Sequence, residues 1–127
     1  MSGGGAKGSY EPGALVEMAK HFEGTDEMRY DVISGVSVGS INAGLLSLFP
    51  KGSEVEMAQF LYDCWFNLSN EDIWEYWNNF KIIDFFEAVF KYPSLLNNKP
   101  LEDYLEKKFD EKNREVFRKV VLGATDL

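Results

Sequence analysis

Two glycines four residues apart, flanking a serine, constrain this chain more than any other feature. In Tyr30-Asp31-Val32-Ile33-Ser34-Gly35-Val36-Ser37-Val38-Gly39-Ser40, an apolar β-branched run meets Gly35-Val36-Ser37-Val38-Gly39 and then a helical pattern. This is a G-x-S-x-G sequence with a strand before it and a helix after it. Gly35 and Gly39 would flank a turn too tight for Cβ atoms, so that Ser37 is held in a strained conformation with its hydroxyl exposed. The helix that follows aims its N-terminal N–H groups and the positive end of its dipole at the same place. Three fixed positions also recur by chance, and the bland alternative is a glycine-rich strand-to-helix turn. The strand and helix on either side favour a nucleophile.

A second glycine cluster, Gly3-Gly4-Gly5-Ala6-Lys7-Gly8, lies upstream. Acyl transfer needs backbone N–H donors aimed at the developing oxyanion, and a glycine-rich loop lets the backbone approach closely enough. The N–H after the nucleophile, here that of Val38, is one candidate donor. Gly3, Gly4 and Gly5 supply the others. Lys7 either adds positive charge near the site or pairs with a surface carboxylate, and the second is the simpler reading. Gly3-x-Gly5-x-x-Gly8 also fits the dinucleotide fingerprint, which requires a strand before it and an acidic residue about 20 residues later. Only Met1 and Ser2 precede Gly3; Asp26 and Asp31 lie near that distance, but Asp31 begins the strand that leads to Ser37. The nucleotide reading is therefore the weakest.

The glycine loop, a short helix and then Gly35-Val36-Ser37-Val38-Gly39 together resemble the start of a patatin-like phospholipase domain. Gly123-Ala124-Thr125-Asp126-Leu127 is similar to a strand end of that family. The resemblance covers nearly all of the chain but only the first part of the family's domain. It implies an α/β, three-layer fold with a mostly parallel central sheet, and a Ser–Asp dyad that hydrolyses lipid esters without a cofactor or a metal. The family carries its Asp in an Asp-Gly-Gly or Asp-Gly-Ala motif, and no Asp here is followed by Gly. The expectation is a partial domain over residues 1–127, apparently truncated at both ends, with the base outside this chain. Should the base lie within it, the candidates are Asp63, Asp72, Asp84, Asp103, Asp110 and Asp126, with Asp126 first, at the C-terminal end of a predicted strand.

Composition narrows the classes. The 127 residues carry a net charge of −8, which argues against nucleic acid and against electrostatic attraction to anionic membranes. The single cysteine, Cys64, excludes an internal disulfide and fits a reducing compartment and a core thiol. No apolar run reaches the ~18 residues of a membrane span. The expected location is cytoplasmic, peripheral to membranes where lipid is met.

The hydrophobic pattern predicts a helix over residues 9–22, with Ala14, Leu15, Met18, Ala19 and Phe22 as its buried stripe. His21, the only histidine, falls at the stripe's edge as a partly exposed helix residue. It precedes Ser37, so a Ser-acid-His order is impossible in this chain. Met28 to Ser34 reads as the strand feeding the elbow, and residues 38–49 as its helix. Residues 54–68 read as a helix with one narrow polar stripe (Glu56, Gln59, Asp63, Asn67), covered on more than one side. Ser69 with Asp72 resembles a capping box. An aromatic-dense region follows: Trp74, Tyr76, Trp77, Phe80, Phe85, Phe86, Phe90 and Tyr92. It reads first as ordinary core and second as an acyl-chain pocket or interfacial cap. Pro93-Ser94 and Asn97-Asn98 mark a loop. Pro100 opens a helix with Leu101, Tyr104, Leu105 and Phe109 on one face. The charges from Glu106 to Arg118 read as a solvated face, and Val120-Val121-Leu122-Gly123-Ala124 as a buried parallel strand.

Two functions follow as expectations. The first is a serine acyl hydrolase in which Ser37 attacks an ester carbonyl of a phospholipid or other lipid ester, with transient membrane surface contact. The second is a catalytically incomplete fragment of the same fold that binds lipid or protein.

Overall fold

The structure is a computed structural model that describes residues 1–68, 75–76, 96–97 and 99–124. In chain order the elements are a 3-10 turn (Gly5–Ser9), α1 (Tyr10–His21), β1 (Val32–Val36), α2 (Val38–Leu46), α3 (Glu54–Phe66), β2 (Glu75–Tyr76), β3 (Leu96–Asn97), α4 (Lys99–Glu111) and β4 (Lys119–Gly123). They fall into two compact units. Met1–Asn67 with Phe109–Leu127 form the first, and Leu68–Lys108 the second.

The first unit is a mixed α/β arrangement around β1 and β4, which pair in parallel with Val32 opposite Lys119 and Val36 opposite Gly123. β1 starts four residues later than the sequence suggests. Local hydrogen bonds, Arg29 N–H to the Asp26 carbonyl and Tyr30 N–H to the Met28 carbonyl, hold residues 26–30 in turns and keep them out of the ladder. Met28 is buried there as core.

α2 packs on both strands and covers one face of the pair. Ile33 and Gly35 are buried, whereas Val32 and Val36 are 51% and 60% exposed. The expectation that β4 is buried on both faces is corrected. Val121 and Leu122, on opposite faces of the strand, are 52% and 55% exposed, and among the described residues β4 has one strand neighbour, β1.

α1 and α3 pack against each other. The buried residues of α1 are Pro12, Leu15, Val16 and Ala19, an i, i+3, i+4, i+7 stripe. Only Leu15 and Ala19 of the expected stripe belong to it. Ala14 and Met18 face outward, and Phe22 is half-buried. In α3 the stripe Glu56, Gln59, Asp63 and Asn67 is exposed, as read. The opposite side is less enclosed than expected. Met57, Ala58, Leu61 and Cys64 are buried, while Tyr62 and Phe66 lie exposed and stack on each other with ring centroids 5.9 Å apart.

The reading of Glu106 to Arg118 as wholly solvated is corrected at its end. The Arg118 side chain has no exposed surface. Its guanidinium donates to the carbonyls of Phe49, Pro50 and Tyr30 and to Glu54 Oε1 at 2.8 Å. This ties the entries of β1 and β4 to the loop between α2 and α3. An arginine is buried only when its planar set of donors is matched in this way. Glu54 is its charge partner, which accounts for a buried carboxylate at the first position of α3.

In the second unit, β2 and β3 pair antiparallel, with Glu75 opposite Asn97 and Tyr76 opposite Leu96. Asn97, read as loop, therefore sits in a strand. α4 begins beside Pro100, as expected for a proline in a first helical turn. The capping box at Ser69 and Asp72, and every aromatic of the dense region except Tyr76, lie outside the described residues. Among the described residues, no helix is long and apolar enough to cross a membrane.

Candidate active site

Ser37 stands between the end of β1 and the first turn of α2 with φ 55° and ψ −127°. A residue with a Cβ rarely adopts that conformation, and holding it costs on the order of 1–3 kcal/mol. The surroundings impose it. The Ser37 N–H donates to the Gly123 carbonyl at 3.0 Å, and the Ser37 carbonyl accepts from Ser40 N–H at 2.8 Å. Ser40 Oγ lies 2.8 Å from the Gly35 carbonyl and 2.9 Å from that of Gly123. Its single proton serves one acceptor at a time, and either bond pins the turn to the sheet edge.

The flanking glycines are required by space. A Cβ on Gly35 would lie 1.9 Å from the Gly39 carbonyl oxygen, and one on Gly39 would lie 2.6 Å from the carbonyl oxygens of Met1 and Ser2. The strand, the turn and the N-terminal segment thus meet backbone to backbone at the elbow.

The glycine loop reaches the same place. A Cβ on Gly3 would lie 3.1 Å from the Val36 carbonyl oxygen and 3.2 Å from Ser37 Cβ. Gly4 has φ 146°, which only glycine adopts without strain. Gly5 begins the 3-10 turn, which Lys7 N–H joins by donating to the Gly4 carbonyl. A Cβ on Gly8 would press on Val38 Cγ1 at 2.8 Å and on the Trp65 ring at 3.3 Å. Gly3, Gly8, Ser37 and Val38 are therefore brought together. The Lys7 side chain is exposed and has no carboxylate partner among the described residues.

A polar network that sequence reading missed lies behind this cluster. Asn42 of α2 is fully buried. Its Nδ2 donates to the Gly8 carbonyl at 3.2 Å and to Glu11 Oε2 at 2.9 Å. Its Oδ1 accepts from Trp65 Nε1 at 2.8 Å. Glu11 Oε1 accepts from the N–H and the hydroxyl of Ser2. Burial alone would raise the Glu11 pKa, but the bonds from Asn42 and Ser2 outweigh it and hold the carboxyl below the usual value of 4.5. The available signal was a polar residue in an otherwise small and apolar helix, four residues after Val38 and so on the same face.

The other candidates that the structure describes have partners of their own. His21 is exposed and packs edge-on against Phe22, as read. Asp63 pairs with the Gln59 side chain, Asp103 with Lys99 and Asp110 with Arg114. Asp72, Asp84 and Asp126 lie outside the described residues. Among the described residues no carboxylate hydrogen-bonds Ser37, and no group of three or more His, Cys, Asp or Glu residues is placed to hold a metal ion. A groove of about 780 Å3 opens between the C-terminal end of α1 and the first turns of α3, lined by Phe22, Met28, Phe60 and Lys112 among others. Neither Ser37 nor any glycine of the loop lines it.

Comparison with known proteins adds one assignment. Residues 1–125 match the family model described as Patatin-like phospholipase. No curated protein and no solved structure matches the chain.

Proposed function

Because the chain belongs to the patatin-like phospholipase family, we propose that it carries the nucleophile and oxyanion half of a serine acyl hydrolase acting on phospholipids or other lipid esters in lipid metabolism. The observation that carries this reading is the backbone of Ser37, at φ 55° between two glycines, with Gly3 packed against its Cβ. A serine in that position presents its hydroxyl at a sheet edge while the N–H groups of the next helical turn and of a glycine loop converge beside it.

In this mechanism Ser37 Oγ attacks the ester carbonyl carbon. A carboxylate takes the hydroxyl proton, and the tetrahedral oxyanion is held by N–H groups of Gly3, Gly4, Gly5 and Val38. Collapse expels the alcohol, which takes up the proton, and leaves an acyl-serine. The same carboxylate then activates water to release the fatty acid. The family's Ser–Asp dyad would assign the carboxylate to an Asp in an Asp-Gly motif, and no Asp of this sequence is followed by Gly. No metal or cofactor is needed. Loss of one oxyanion donor typically costs ~3–4 kcal/mol of transition-state stabilisation, so the loop matters as much as its small size allows. Contact with the substrate takes place transiently at a membrane surface, on the cytoplasmic side, and the net charge of −8 keeps nucleic acid out of the account.

The test is labelling of the full natural chain by a fluorophosphonate. Ser37→Ala should abolish it, and Gly5→Ala should lower kcat more than it raises KM, because the loop contact belongs to the transition state. Labelling that survives Ser37→Ala would remove Ser37 from the mechanism.

A further inference from the structure

We infer that Asn42 is a positioning residue for ester hydrolysis: its carboxamide, with Glu11 and Trp65, sets the glycine loop at the height of the Ser37 hydroxyl. The inference rests on the reading of Ser37 as the nucleophile.

The loop that would hold the oxyanion has little of its own to fix it. Gly3, Gly4 and Gly5 have no side chains, and Gly4 sits at φ 146°. Beyond the Lys7 N–H bond to the Gly4 carbonyl, its geometry comes from its two ends, and one network reaches both. At the near end, Ser2 donates its N–H and its hydroxyl to Glu11 Oε1 at 2.5 and 3.1 Å. At the far end, the Gly8 carbonyl accepts from Asn42 Nδ2 at 3.2 Å. Asn42 joins the two by donating to Glu11 Oε2 at 2.9 Å.

Asn42 is also rigidly tied to the nucleophile. It lies on α2 four residues after Val38, on the same helix face, and that face is the one against which Gly8 is packed. The height of the loop above Ser37 is thereby measured from the elbow helix itself. Trp65 Nε1, donating to Asn42 Oδ1 at 2.8 Å, fixes which end of the carboxamide points at the loop. Both Nδ2 protons and the Oδ1 acceptor are then in use, in a side chain with no exposed surface. A carboxylate at position 42 would lose both donors and face Glu11 with like charge. An apolar residue would leave the Gly8 carbonyl and the Trp65 N–H without partners.

The experiment uses the full natural chain, a short-chain p-nitrophenyl ester, the fluorophosphonate and thermal unfolding. Asn42→Asp should lower kcat by about 10- to 100-fold, the range that an ångström of misplacement produces, with KM within about twofold. The double variant Asn42→Asp/Glu11→Gln exchanges donor and acceptor between the two positions, and it should regain about a third or more of that loss on a logarithmic scale. Trp65→Phe removes the Nε1–H with the pyrrole part of a half-buried ring and adds no charge, so it reports even where Asn42→Asp fails to fold. It should lower kcat at least about threefold at unchanged KM. Unlabelled Ser37 in the wild type would overturn the hydrolase reading itself. A wild type that is labelled, beside variants that melt earlier yet keep kcat per folded molecule within twofold, would overturn the positioning role alone. So would a double variant no better than Asn42→Asp.

Discussion

Ser37 holds a conformation suited to glycine, and its side chain makes that conformation costly. Strain of about 1–3 kcal/mol is released when the Cβ is removed, against roughly 0.5–1 kcal/mol of added backbone entropy in the unfolded chain. Ser37→Gly should therefore melt above Ser37→Ala, by about 1 kcal/mol in urea unfolding, although both lack the hydroxyl. Equal stabilities would mean that the turn relaxes when the hydroxyl goes. The glycines divide by the same reasoning. A methyl group on Gly35 would overlap the Gly39 carbonyl at 1.9 Å, and Gly35→Ala should cost at least about 3 kcal/mol. Gly13 lies inside α1 with nothing within 4 Å of a built Cβ, so Gly13→Ala should stabilise by up to about 1 kcal/mol. Thermal unfolding of the two variants side by side checks both signs.

At the scale of elements, Arg118 joins what the chain order separates. It reaches across the starts of β1 and β4 to the α2–α3 loop, and its partners are three backbone carbonyls and Glu54. Arg118→Ala should destabilise by about 3–5 kcal/mol, since it strands a buried carboxylate and three acceptors. Arg118→Lys should recover little, because a single ammonium cannot span the four. Urea unfolding would measure both, and a loss under 1 kcal/mol would mean that water replaces the guanidinium. This element-scale role was illegible in the sequence. Arg118 follows a run of surface charges, and nothing in its neighbours marks it as the one that turns inward. The turn from β1 into α2 was legible for the opposite reason. Gly35, which must lack a side chain, meets the Gly39 carbonyl a few residues further on. The α1 stripe was legible only in period. Its phase depends on which face α3 covers, and that exchanged Ala14 and Met18 for Pro12 and Val16.

Across the whole molecule, acid should weaken the fold through Glu11, because its carboxylate joins the N-terminal segment to α2. Its carboxyl is held below 4.5 by bonds from Asn42 and Ser2 that outweigh the effect of burial. A lowered folded-state pKa means that the unfolded chain binds the proton first. The stabilisation is complete above about 4.5 and is lost as pH falls through the lower folded-state value. Asp110, exposed and held down by Arg114, shifts in the same direction, so acid sensitivity by itself does not identify Glu11. The difference between wild type and Glu11→Gln does. At pH 7 the variant should be the less stable, and the gap should narrow as pH drops below 4.5, because only the wild type has a carboxylate there to lose. As pH approaches the pI of about 4.6, net repulsion vanishes and the exposed Val32, Val36, Val121 and Leu122 favour association, so the comparison needs dilute protein and added urea. Two stability curves that stay parallel from pH 7 to pH 3 would show that Glu11 carries no proton-linked stability. The bonds to Ser2 and Asn42 would then act as geometry alone.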